Sequence, residues 1–217
     1  MLFLCIIFSK RIYVHYTIED LETNDVYKLI SNLVVPRPIA WVSTLSDKDI
    51  LNLAPFSYFI PLSSSPATLL ISIGHKSDGS EKDTLKNLRD TKKCSIVIAQ
   101  PSDLKELDES AAPLEYNRSE YSALHIDSKV LNPDYPAVPK SAQIVLFCEY
   151  LKEVELDGSA TIPVIVEVKK VYINNALVED SDNLKIALNR PILARVGRSY
   201  FELGDELLDE KDTKKYE

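Results

Sequence analysis

The residues with the most chemistry in this chain fall in three neighbouring segments. Ser43 and Thr44 close the run Pro36-Arg37-Pro38-Ile39-Ala40-Trp41-Val42-Ser43-Thr44, offering two hydroxyls where an apolar stretch meets a polar turn. Lys82-Asp83-Thr84-Leu85 puts a cation and two capping residue types at what reads as a helix start, whose first N–H groups and positive dipole end attract an anion. Between them, Asn52-Leu53-Ala54-Pro55-Phe56-Ser57-Tyr58-Phe59 mixes hydrogen-bonding side chains with small ones, so that backbone groups can approach a ligand edge. Trp41, Tyr58 and Phe59 supply flat apolar walls. The chemistry is capture of a small molecule with an anionic end, a polar edge and a flat apolar side. Taken singly, each feature is also ordinary architecture: a strand-end turn, a helix cap, a strand exit.

The elements that must position these groups are mainly β. Ile39–Leu45, Thr68–Ile73 and Cys94–Ala99 are β-rich runs bounded by polar turns. Ile144–Leu156 and Ile162–Val171 read as long strands joined by the turn Asp157-Gly158-Ser159. Asp20–Ser31 has the apolar spacing of an amphipathic helix, and Asp83–Arg89 that of a short helix with Leu85 and Leu88 on one face. Residues 101–139 are broken by five prolines and read as a surface excursion that serves a site or an interface. Many strands, short helices and no strand–helix alternation predict a Greek-key barrel rather than a doubly wound sheet.

With 217 residues, 45% of them hydrophobic, the chain can bury a sizeable core as one domain, read here as residues 20–205. Residues 1–19 read as an extension and 206–217 as a charged, solvated tail. The net charge of −8 argues against a nucleic-acid binder. The apolar run at Met1–Phe8 is too short to span a bilayer and precedes its basic residues, so no membrane association is expected. Cys5, Cys94 and Cys148 lack paired spacing and read as free thiols of a cytoplasmic protein. No metal-ligand spacing, dinucleotide glycine turn or P-loop is present. Of the three histidines only His75 falls near the proposed site, and Arg37 and Arg195, each near a proline, suit a phosphate, a carboxylate or a structural ion pair.

The order and spacing of these segments resemble the flavin reductase-like family of FMN-binding split-barrel proteins. The family's Pro-Arg-Pro-Ile-Ala-Trp-Val-Ser-Thr strand, Asn-Leu-Ala-Pro-Phe-Ser segment and Lys-Asp-Thr-Leu-Lys-Asn helix stand here at 36–44, 52–57 and 82–87, with Ile71-Ser72-Ile73-Gly74 between. Ser110-Ala111-Ala112-Pro113, Glu120-Tyr121 and Pro191–Tyr200 extend the likeness, which spans about residues 20–203. It departs where Ile60 replaces the family's Asn, where Arg198 replaces a second Gly, and at Val166-Glu167 and Tyr172.

The resemblance implies a six-stranded split barrel that dimerises with FMN near the subunit interface. It implies a phosphate site at Ser43, Thr44, Lys82 and Thr84, with Arg37, Trp41, Asn52, Ala54, Pro55, Ser57, Tyr58 and Asp83 as the other cofactor-binding residues. His75, Arg195 and Tyr200 are the substrate-side candidates, and Tyr58, Tyr121 and Tyr200 are candidates for the dimer region. The implied activity is oxidation of NAD(P)H through FMN, with electrons passing to a flavin, a partner oxygenase or a small-molecule acceptor. A flavin-binding protein without turnover and a dimeric scaffold that has lost FMN are the alternatives.

Overall fold

The structure, a computed structural model, describes residues 14–187 and 191–204. The expectations for residues 1–13, Cys5 included, and for the charged tail lie outside those residues. From Arg37 the chain forms β1 (Arg37–Pro38), β2 (Ala40–Leu45), β3 (Leu51–Phe56), β4 (Phe59–Ser64), β5 (Ala67–Gly74) and β6 (Lys93–Ile98). The short pair β7 (Ser128–Lys129) and β8 (Val138–Pro139) lies in the excursion, and the long β9 (Ile144–Glu153) and β10 (Thr161–Ile173) follow. β11 (Val178–Asp180) pairs with β12 (Lys185–Ile186), and β13 (Leu193–Val196) lies between β1 and β14 (Ser199–Glu202). The α-helices are α1 (Thr23–Leu33), α2 (Asp83–Thr91), α3 (Leu104–Glu109) and α4 (Glu120–Ala123).

The main sheet has seven antiparallel strands, one more than the resemblance implies, in the order β3-β2-β6-β9-β10-β5-β4. The segment around Asn52, read from sequence as a ligand-approaching stretch, is two strands. Pro55 and Pro61 disguise them, and both occupy sheet edges, where a missing N–H breaks no ladder. Because β3 and β4 are joined by only Ser57 and Tyr58 yet end opposite sides of the strand order, the sheet must curl back on itself. Phe56 of β3 accordingly packs in one interior cluster with Phe59 of β4 and Ile71 of β5.

Side chains alternate across this curl, since successive strand residues point to opposite faces. Ala40, Val42, Cys94, Ile96, Cys148, Val164 and Val166 fill the interior, with Leu85 and Leu88 of α2 packed among them. Trp41, Leu53, Val97, Val145 and Phe147 point outward, where the excursion covers them with Leu107, Tyr121, Tyr135 and Val138. Residues 101–139 therefore build a second core as well as a site wall. Cys94 and Cys148 are buried free thiols. α1 begins at Thr23 rather than Asp20, because a 3-10 turn occupies Ile18–Asp20. No helix among the described residues is long and apolar enough to cross a membrane.

Candidate functional site

Two cavities lie along the β3–β4 run. The first, of about 220 Å³, is lined by Asn52 and Ala54 of β3, His75 to Ser77, Lys82 to Thr84 at the start of α2, Ser110 to Leu114, and Glu120 of α4. The second, of about 490 Å³, is lined mostly by apolar groups, among them Ile30, Val34, Pro36, Tyr58, Phe59, Ile60 and Leu70. Ala54 and Ser57, one in each cavity, are three residues apart, roughly 10 Å of extended chain.

In the first cavity, α2 starts without a side-chain cap. The two lysines there differ. Lys76 is engaged by Asp83 at 2.5 Å, whereas no carboxylate among the described residues lies within ion-pair reach of Lys82, whose ammonium sits 5.7 Å from the Phe56 ring centroid. Burial holds the Lys82 pKa below the ordinary lysine value, with Asp83 pulling it back up and Lys76 adding repulsion. A partly buried, unpaired cation beside uncapped backbone N–H groups is a place that an anion would stabilise.

The wall behind Lys82 is a hydrogen-bond network. Asn52 donates through Nδ2 to Thr84 Oγ1 at 3.0 Å and to Thr44 Oγ1 at 3.2 Å. Asn87 of α2 donates to the same Thr44 oxygen at 3.1 Å and accepts from the Tyr116 hydroxyl at 3.0 Å. The Asn52 amide nitrogen is thus committed inward, leaving its carbonyl oxygen as the acceptor at the cavity. Across the cavity Glu120, 5% exposed, accepts from the Leu53 N–H through Oε2 at 2.9 Å. Burial raises its carboxyl above the ordinary glutamate value; the Leu53 N–H and its own N–H oppose this, and the Asp83 charge adds to it.

The structure therefore brings together Asn52, Ala54, His75, Lys82, Asp83 and Thr84, and separates other predicted residues from them. Ser43 is a correction: its hydroxyl donates to the Ala137 carbonyl at 2.6 Å and accepts from Tyr121, on the outward face, while Thr44 points the other way. Trp41 is a second, since its ring is in the outer core and its Nε1 donates to Ser110 Oγ at 2.9 Å. Pro55 lies opposite Trp41 in the β2–β3 ladder and lines neither cavity.

Arg37 and Ser57 line the apolar cavity with Tyr58, but the Arg37 guanidinium is already engaged. It donates to the carbonyls of Ser31 and, at 2.8 Å, Gly197, which ties α1 to the β13–β14 turn. It also lies 5.7 Å from the Tyr58 ring centroid, and Tyr58 stacks on Tyr27 of α1. Arg195 and Tyr200 line neither cavity: the Arg195 guanidinium packs 4.6 Å from the Tyr200 ring centroid, and the Tyr200 hydroxyl donates to Asp108 at 2.9 Å, with burial the main cause of a pKa pushed up to about 12. His75 is exposed at the cavity mouth, with Nδ1 3.3 Å from the Ala160 carbonyl.

Reading the sequence missed Lys76 and Glu120 as site residues. Lys76 arrives through the loop closed by the His75–Glu81 bridge, which no local pattern announces. Glu120 had a signal, the Glu120-Tyr121 pair, but its partner Leu53 is 67 residues away. Among the described residues no cluster of three metal-ligating side chains occurs.

With this geometry in hand, comparison with known proteins is specific. The family model described as the flavin reductase like domain matches residues 32–201. An uncharacterized protein of Aquifex aeolicus (strain VF5) is 31% identical over 189 residues, covering 86% of this chain and 93% of its own. The crystal structure of nitrilotriacetate monooxygenase component B from Bacillus cereus superposes with a TM-score of 0.83 at 25% identity, covering 91% of this chain and 98% of that one. In fold alone, Pseudomonas fluorescens 2-nitrobenzoate 2-nitroreductase NbaA is similar with a TM-score of 0.80 at 24% identity, over 90% and 95% of the two chains.

Proposed function

This chain belongs to the flavin reductase-like family, and on that premise we propose that it is an FMN-binding oxidoreductase that takes electrons from NADH or NADPH and passes them to free flavin, a partner oxygenase or a small acceptor. The observation that carries this reading is Lys82, an unpaired and partly buried cation at the uncapped start of α2, in a cavity whose Ala54 is three residues along the chain from Ser57 of a larger apolar cavity.

The donor set fits FMN. Lys82 and the first N–H groups of α2 suit the phosphate, and the apolar wall of Tyr58, Phe59 and Ile60 suits the ring system. Asn52 and Ser57 suit the polar groups between and along it. Thr44 and Asn87 act indirectly, by holding Asn52 and Thr84 in place. Bound FMN would supply the electron-accepting ring, so the protein's part is to bind, orient and shield it, and no side-chain acid or base is needed.

The reading includes a homodimer. α1 is amphipathic, yet Ser31 is its buried residue while Tyr27, Ile30 and Leu33 stand exposed. Beside it, β4 exposes Ile60 and Leu62. An apolar face of this kind on both copies is what a two-fold interface would cover, and it borders the larger cavity.

Titration of the apoprotein tests the assignment. Lys82→Ala should weaken FMN binding by one to two decades, the value of about 1.5–3 kcal/mol for a hydrogen bond to a charged group. Unchanged affinity would remove the phosphate from α2. Anaerobic mixing with NADH or NADPH should bleach the bound flavin. Absence of bleaching with both nucleotides would favour a flavin-binding protein without turnover, a reading consistent with Arg195 being stacked on Tyr200 rather than facing a cavity.

A further inference from the structure

Two lysines line the first cavity, and they differ in what faces them. Lys76 is ion-paired with Asp83 at 2.5 Å. Lys82 has no carboxylate of the described residues within ion-pair distance, and its nitrogen lies 5.7 Å from the centroid of the Phe56 ring, a side chain of the barrel interior. At that distance the ring face offers a cation far less than the water it displaces. The charged and titratable groups that share the cavity with Lys82 are Lys76, Asp83, His75 and Glu120. Burial lowers the Lys82 pKa, Asp83 opposes this while engaged by Lys76, and the Lys76 charge adds to the lowering. A desolvated amine beside a second cation, lining a cavity, is the usual setting of a nucleophilic lysine.

We propose that Lys82 is an acylation site: in the flavin-free protein its amine takes the acyl group of a small thioester, and the resulting amide closes the cavity to FMN. The consequence for FMN rests on the flavin reading above; the acyl transfer does not. The amine lone pair attacks the thioester carbonyl carbon, a C–N bond forms, the C–S bond breaks, and the sulfur leaves as a thiol carrying the proton that the nitrogen gives up. Nothing is oxidised or reduced. A neutral thioester suits this amine because it brings no negative charge that would favour the ammonium form, and an acetyl group is small beside a cavity of about 220 Å³. FMN and the acyl group then exclude each other. The phosphate of bound FMN would recharge and cover Lys82, whereas an acyl-lysine offers the phosphate no charge and adds bulk at the start of α2. Lysines outside the cavity are held in the charged form instead, Lys86 chiefly by its hydrogen bond to Asp90 and Lys169 by its hydrogen bond to Glu167.

The test treats full-length protein, with and without FMN, with S-acetyl-N-acetylcysteamine and follows acetylation of each lysine by peptide mass spectrometry. Without FMN, Lys82 should acetylate about tenfold faster than Lys86 and Lys169 near neutral pH, and its rate should level off at a lower pH than theirs. Saturating FMN should suppress the reaction at Lys82 and leave the other two unchanged. Protein acetylated at Lys82, like Lys82→Gln, should bind FMN one to two decades more weakly. Lys82→Arg, which keeps the charge without the nucleophile, should take up no acetyl group there and keep most of the FMN affinity. A Lys82 rate no higher than those of Lys86 and Lys169 overturns the proposal, as does undiminished FMN binding after acetylation at Lys82, or acetylation there that bound FMN fails to suppress. If FMN binds and Lys82 reacts slowly, this inference falls alone. If the protein binds no FMN and Lys82 still reacts first, the flavin reading falls and the acylation site stands without its consequence for FMN.

Discussion

At one edge of the seven-stranded sheet, β3 keeps its free side under α4, and a buried carboxylate from Glu120 receives the Leu53 N–H. At the other, β4 is buried only at Phe59, and every residue from Ile60 to Ala67 is exposed, Ile60 and Leu62 among them. Both strands carry a proline, the usual device of an edge strand. The chain finishes the first edge with its own excursion and leaves the second bare beside the exposed apolar face of α1. An unfinished apolar edge invites another chain to pair with it or cover it. The difference fits the homodimer proposed above, in which the polar cavity would belong to a single protomer and the apolar cavity would lie at the boundary between two.

The strongest way to break this comparison is to charge the bare edge. Ile60→Lys places an ammonium on the wall of the apolar cavity, opposite Leu70 in the β4–β5 ladder. Burying it unpaired in a dimer costs several kcal/mol, so the dimer dissociation constant should rise by two decades or more, and sedimentation velocity should find a monomer at micromolar protein. A dimer of unchanged strength would move the interface away from β4.

A smaller effect sharpens the other side. Glu120→Ala leaves the Leu53 N–H buried without its acceptor, at a cost of about 1–3 kcal/mol, or roughly 2–4 °C of Tm per kcal/mol in a chain of this size. Leu62→Ser made in the Ile60→Lys monomer strips an already exposed side chain, and should change stability by no more than about 0.5 kcal/mol. Denaturant unfolding measures both. Equal losses at the two edges would mean that the monomer covers β4 after all.

How much of this was legible in the sequence follows the range of the interactions. Strands β2, β5, β6, β9 and β10 and helix α2 announce themselves locally, through apolar runs and turn residues, and the family motifs locate the cavity at Asn52 and Lys82 to Thr84. What was lost is facing. In a strand Ser43 and Thr44 must point to opposite sides, so both hydroxyls could not serve one ligand. Strand alternation buries Trp41 with Ser43 on the outer side and Val42 with Thr44 on the inner one. Arg37 and Glu120 were not legible in the same way. Their partners, the carbonyl of Gly197 and the N–H of Leu53, are backbone groups 160 and 67 residues away. Backbone acceptors and donors leave no trace in residue identity.

The covered edge should also be the pH-sensitive one. Burial raises the Glu120 carboxyl above its ordinary value of 4.5, so between that value and the raised one the folded chain holds a proton that the unfolded chain has released. Stability contributed by this group is then fully present below the unfolded pKa and is lost as pH rises through the folded one. Lys82, Lys76, Asp83 and His75 share the cavity, but they are present in wild type and in Glu120→Gln alike and largely cancel in the difference. The Tm of wild type minus that of Glu120→Gln should therefore fall as pH rises above 4.5. β4 carries no ionisable side chain, so Leu62→Ser should show no such trend. A wild-type minus Glu120→Gln difference that stays flat with pH would mean that the Leu53 N–H offsets the whole penalty of burying the charge, and the two edges would then differ in coverage alone.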